Sequence, residues 1–134
     1  MGAWGKGIYD NDDACDFVGE VVDSLDLSRI HAAVNEVLNA NHTLEAPLAA
    51  QGLVAADVVA RLRGQWGDRN SYTGVIAQWA ERANVTASDE LLLKARQVVH
   101  RVRTEPSELL ELWSDDPDPE TWHATLDTLL QRLS

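Results

Sequence analysis

The stretch "LEAPLAAQGLVAADVVARLRG", residues 44–64, decides how this chain folds. Pro47 suits the first turn of a helix, where its missing N–H would have no intrahelical partner anyway, and Gly64 suits the helix end. From Leu48 to Ala60, alanine, leucine and valine occupy nearly every side of that helix. A surface helix carries one apolar stripe, whereas a helix that is apolar all round must be covered on several sides. The stretch therefore predicts a central helix with other elements packed about it.

The flanking sequence supplies those elements. Ala14, Phe17, Val18, Val21, Val22 and Leu25 recur at helical spacing and predict one buried face. Burying such side chains is worth roughly 1.5–3 kcal/mol each before entropy is subtracted. A second helix is expected after Ser28 as N-cap, with Ile30, Ala33, Val34, Val37 and Leu38 inward. It should end in "NANH", 39–42, where asparagine tolerates a left-handed cap. Residues 65–74, "QWGDRNSYTG", read as the clearest internal loop. A shorter helix near 75–83 then presents Val75, Ile76 and Trp79.

The next helix, capped by Thr86 or Ser88, runs to about Arg103 with Leu91, Leu92, Ala95, Val98, Val99 and Val102 as its stripe, and Pro106 ends it. "SELLELW", 107–113, makes one or two more turns. In "DPDPETW", 116–122, Asp118 is placed to cap a final helix with Pro119 at its first position. Trp122, Leu126, Leu129, Leu130 and Leu133 form its apolar side. No alternating run argues for strands. The reading is a single all-α domain over 1–134, with about six to seven helices, no sheet, and residues 1–10 as an N-terminal anchor segment.

With 134 residues and one cysteine, Cys15, the chain can bury a real core but form no intrachain disulfide. That excludes a secretory disulfide scaffold and fits a reducing, cytoplasmic setting. No apolar run approaches the roughly 18 residues that span a bilayer, and the N-terminus lacks the layout of a signal peptide. The net charge is −11 and unevenly placed. Residues 1–26 carry seven carboxylates against one lysine, and 105–134 carry eight against one arginine. The middle, 27–104, has nine basic and seven acidic residues. Acidic flanks repel phosphate backbones, which argues against nucleic acid, and they attract a basic protein.

The opening segments "GAWGKG", 2–7, and "DNDDA", 10–14, have a structural reading. Asp10 or Asn11 can cap the first helix by accepting an orphaned backbone N–H. Asp12 and Asp13 then lie in the first turn, where the helix dipole favours negative charge by about 0.3–1 kcal/mol each. If Asp10 is the cap, Asp13 stands at N3 in an imperfect capping box. Trp4, flanked by glycines, is expected to pack on the body as a structural anchor. A phosphate loop is excluded because Gly5-Lys6 is followed by Gly7 and no strand precedes it. A calcium loop starting at Asp10 fails because Ala14 and Cys15 stand at its fifth and sixth positions and Val21 where a bidentate glutamate belongs.

Gly2, Ala3, Trp4 and Gly5, followed by Asn11, Asp12, Asp13 and Ala14, resemble the N-terminus of the bacterial domain-of-unknown-function family 4259. The "ELW" at 111–113 and the ending from Trp122 to Leu133 are similar too. The resemblance covers about the first 20 residues and the last 30. It implies a small bacterial cytosolic protein and no established activity, so no catalytic residue is carried over.

The remaining chemistry is sparse. His31, His42, His100 and His123 are dispersed and form no metal-ligand pair. Cys15 has carboxylate neighbours that oppose a thiolate, and Ser71 and Tyr72 have no visible base. No catalytic set, cofactor motif or metal site is predicted. The expected function is a non-catalytic protein-binding module, of which an immunity-type inhibitor of a basic partner is a concrete version. Its candidate contact residues are Asp10, Asp12, Asp13 and Asp16 on the acidic edge, with Trp66, Arg69 and Tyr72 as anchors in the 65–74 loop. An enzyme whose site is assembled from distant residues, or a self-associating structural subunit, are the alternatives. The chain itself is expected to be a monomer or a weak homo-oligomer.

Overall fold

Helix α3, Ala46–Leu62, is buried from Ala49 to Arg61 except at the half-buried Gln51. The computed structural model describes residues 7–67 and 70–134, and in it α3 is the element about which the others pack. The others are α1, Asp12–Val22; α2, Ser28–Leu38; α4, Ser71–Ala83; α5, Asp89–Val102; α6, Glu108–Ser114; and α7, Pro119–Arg132. Helices α1, α2, α5, α6 and α7 all lie against α3, while α4 packs chiefly on α1. The described residues form no strand, and an isolated bridge joins Leu44 to Ser107, so the fold is all-α as expected.

Close approach at the centre depends on Gly52. A Cβ there would stand 2.6 Å from Cγ2 of Val37 on α2 and 3.1 Å from Cγ1 of Val98 on α5. Three helices meet at a point where only a hydrogen fits. Around it, Ile30, Val34 and Val37 of α2 and Leu91, Ala95 and Val98 of α5 are fully or almost fully buried. The predicted stripes of these two helices therefore point inward.

The caps differ from expectation in several places. At α1 the expectation holds, with Asn11 the cap of the two candidates: its Oδ1 accepts from Ala14 N at 2.8 Å, which leaves Asp12 and Asp13 in the first turn. Ser28 is the first residue of α2 rather than its cap, and its N–H is met by Asp26 Oδ1 at 2.9 Å. These contacts with Ser28, and one with Ser24, hold the Asp26 carboxyl down at a pKa of about 2. Asn39 ends α2 in a right-handed conformation, φ −92°, and the left-handed asparagine is instead Asn84 after α4. Ser88 caps α5. Asp118 occupies the predicted position before α7 but makes no cap bond to the backbone; its carboxylate accepts from the Thr121 hydroxyl.

Leu25 is 62% exposed because α1 stops at Val22, so it does not join the predicted stripe. The carbonyls left at that end are satisfied from α4. Arg82 Nη2 donates to Val22 O at 3.0 Å, and the buried Trp79 indole donates to Ser24 O at 2.5 Å. Helix α4 also begins four residues earlier than predicted. Asn70 and Thr73 form a reciprocal capping box, so Tyr72 and Gly74 belong to the helix and the loop is shorter. The N-terminus of α3 has no local side-chain cap; Glu108 reaches it from α6, accepting from Ala46 N at 2.6 Å.

Candidate functional site

The two acidic ends do not pack as one sheet of helix. Helix α1 rests on α3, α4 and α2, and α7 rests on α3, α5 and α6. What joins the two ends is the segment before α1: Gly7 to Asp10 lines a cavity whose other wall is Thr125, Thr128 and Arg132 of α7.

The predicted contact residues fall into separate groups. Asp12 and Asp16 are exposed on α1, and Asp13 is half-buried. Asp10 is half-buried and accepts from Gly7 N at 3.0 Å through Oδ2. Tyr72 joins this group rather than Trp66. Its ring stacks on Tyr9 with centroids 6.3 Å apart and planes 7° apart. A hydrogen bond with the Cys15 side chain, with Asp10 and Asp12 nearby, raises the Tyr72 hydroxyl above the ordinary tyrosine range. Cys15 is half-buried, its thiol 3.4 Å from the Tyr9 carbonyl. Trp66 is 39% exposed and lies under Arg61, whose guanidinium carbon is 5.5 Å from the ring centroid. It borders a groove of about 460 Å³ lined by Leu62, Ala77, Ala80, Glu81 and Val85. Trp4 and Arg69 lie outside the described residues.

The most organised polar feature was not predicted at all. Asp57 sits 1% exposed in the middle of α3 and accepts from three side chains. Arg61 Nε and Arg132 Nη1 each donate at 2.6 Å, and the Tyr9 hydroxyl donates as well. A buried carboxylate is tolerable only when paired and hydrogen-bonded, and here both oxygens are engaged. Burial, together with the Asp57 carboxylate beside it, pushes the Tyr9 hydroxyl well above the ordinary tyrosine range. Arg132 also donates through Nε to Gln65 O at 3.1 Å, so it ties α7 to the loop after α3.

Chemically, this cluster holds protons in place. Three donors occupy the two oxygens of Asp57, and the raised Tyr9 hydroxyl is a poor source of phenolate at neutral pH. The cluster fixes the N-terminal segment, α3 and α7 to one another and forms the floor of a cavity of about 330 Å³. Half of its signal was visible in sequence: Asp57 and Arg61, four residues apart, interrupt an otherwise apolar helix. Tyr9 and Arg132 join from 48 and 75 residues away, which no local pattern reveals.

A family model described as domain of unknown function (DUF4259) matches residues 2–125 of the 134. The chain belongs to this family. The match takes in α1 to α6 and the first half of α7, and so covers Tyr9, Asp57 and Arg61 but stops before Arg132. No curated protein and no solved structure matches the chain. Membership in DUF4259 thus brings no activity with it. No described helix of this DUF4259 chain is long and apolar enough to cross a membrane.

Proposed function

We propose that this DUF4259 chain is a non-catalytic protein-binding module that takes a basic protein partner, as an immunity-type inhibitor would. The observation that carries this reading is how the positive charge is spent. All nine arginine and lysine side chains among the described residues are engaged with a carboxylate or a backbone carbonyl of the same chain. Arg63 reaches Ala87 O and Asp89, Arg96 reaches Leu133 O, and Arg101 reaches the carbonyls of His42, Thr104 and Pro106. Over the whole sequence 22 acidic residues stand against 11 basic ones, and those of 105–120 and of α1 are mostly exposed.

Such a surface accelerates encounter with a basic partner and contributes less to affinity itself. Affinity comes from a few large side chains that lose water on contact. Trp66, partly exposed beside a groove that Arg61 and Glu81 line together with Leu62, Ala77, Ala80 and Val85, is the anchor this geometry favours. Tyr72, half-buried against Tyr9, supports the acidic edge instead. The −11 charge also opposes self-association, so the expected state is a monomer or weak homo-oligomer in a reducing, cytoplasmic compartment.

The test is affinity capture from the native lysate with two baits, the wild type and the triple variant Asp12→Asn, Asp13→Asn, Asp16→Asn. A basic protein retained by the first bait and lost from the second supports the reading. Equal retention by both baits contradicts it.

A further inference from the structure

Trp66 is open to water, yet the chain on either side of it is held. Helix α3 ends in a Schellman motif: Gly64, at φ 88°, donates to Arg61 O at 3.0 Å, and Gln65 N donates to Ala60 O at 2.9 Å. The Gln65 carbonyl accepts from Arg132 Nε at 3.1 Å, so both backbone polar groups of Gln65 are engaged. Gly67 passes so close that a Cβ on it would stand 2.8 Å from Arg132 Cζ. Between these two residues, the Trp66 ring centroid lies 5.5 Å from the guanidinium carbon of Arg61. Arg61 and Arg132 in turn share one buried carboxylate, each donating to Asp57 at 2.6 Å.

We propose that the Asp57 cluster is a positioning device for Trp66, holding the indole open to water in the pose in which it meets the basic partner. An exposed side chain ordinarily keeps its rotamer freedom, and giving that freedom up on contact weakens binding. Fixing the ring beforehand removes this cost. Two guanidiniums suit the task, because a planar fork can meet a carboxylate with one N–H and still reach a loop carbonyl or lie against an aromatic ring. The Tyr9 hydroxyl donates to the same carboxylate, which sets the segment before the acidic α1 in one frame with the Trp66 loop. The use made of Trp66 rests on the protein-binding reading, whereas its being held does not.

The test is nitrogen-15 relaxation of the intact protein with no partner present, read at the Trp66 indole and at the Gln65 and Gly67 amides. In the wild type these order parameters should lie near the rigid value of about 0.85. Arg132→Lys and Arg61→Lys each keep a positive charge for Asp57 but replace a planar fork with a flexible point charge. Each should bring the Trp66 indole below about 0.6 while the Trp79 and Trp122 indoles stay unchanged. Gly52→Ala, which strains the centre of the fold instead, should leave Trp66 as in the wild type. With the basic protein retained by the wild-type bait, Arg132→Lys should weaken binding about tenfold, and should have little effect once Trp66 is alanine. A Trp66 indole already below about 0.6 in the wild type would overturn the proposal. So would order unchanged in both lysine variants, or an equal loss of affinity from Arg132→Lys with and without Trp66. A bait that retains no basic protein would count against the protein-binding reading, and the order parameters would still decide whether the cluster holds Trp66.

Discussion

A Cβ placed on Gly67 would stand 2.8 Å from Cζ of Arg132, on the guanidinium that reaches Asp57. The loop after α3 passes that close because residue 67 has no side chain. Gly67→Ala should therefore push the guanidinium away from Asp57 and cost about 1–3 kcal/mol. Urea denaturation at neutral pH measures this, with an unchanged slope and a lower midpoint. An unchanged midpoint would mean that Arg132 moves aside freely and contributes little to stability.

Asp57 itself is the stronger test of the cluster. Asp57→Ala leaves Arg61 and Arg132 buried or nearly so without their carboxylate, and breaking such a pair typically costs about 3–5 kcal/mol. Asp57→Leu adds apolar volume in its place and should not recover that loss while both arginines remain. Replacing all three charged groups with apolar residues of similar size should recover much of it. Equilibrium unfolding of the single and triple variants distinguishes the outcomes.

Gly52→Ala probes the centre of the fold. The added methyl would meet Val37 at 2.6 Å and Val98 at 3.1 Å, between two helices that are themselves packed. Overpacking of this kind costs about 1–3 kcal/mol. The double variant Gly52→Ala, Val37→Ala should recover part of the loss by opening space on α2. If it does not, the constraint comes from α5.

The two tyrosines predict an alkaline limit. Both Tyr9 and Tyr72 are raised above the ordinary tyrosine value, Tyr9 the more strongly. A group with a raised folded-state pKa contributes stability that is fully present below its unfolded pKa, about 10, and lost as pH rises through the folded value. Stability should therefore fall above about pH 10. Ultraviolet titration should find little tyrosinate at that pH while the protein stays folded. Tyr9→Phe should lower stability at neutral pH by removing the bond to Asp57, and flatten the alkaline decline. A normal tyrosine titration near pH 10 in folded protein would contradict the buried Tyr9–Asp57 contact.

How much of this was legible in the sequence depends on distance along the chain. The central helix was plain because Leu48 to Ala60 is apolar on all sides, and its neighbours because their stripes keep helical spacing. The start of α4 was missed because Asn70 and Thr73 are common loop residues, and their reciprocal capping depends on a backbone turn that composition does not specify. Leu25 was misplaced because the apolar repeat continued one turn past the helix end. The cavity was invisible. Tyr9, Asp57 and Arg132 lie far apart in sequence, and each alone has an ordinary explanation.

The proposed partner interaction is tested most directly by the association rate with the captured basic protein, measured by stopped flow against salt. The Debye length is about 8 Å at physiological ionic strength, so added salt should remove the long-range attraction of the acidic surface. The account predicts an association rate that falls about tenfold or more from low to high salt, with Trp66→Ala acting mainly on dissociation. An association rate independent of salt, with dissociation unchanged in Trp66→Ala, would contradict it.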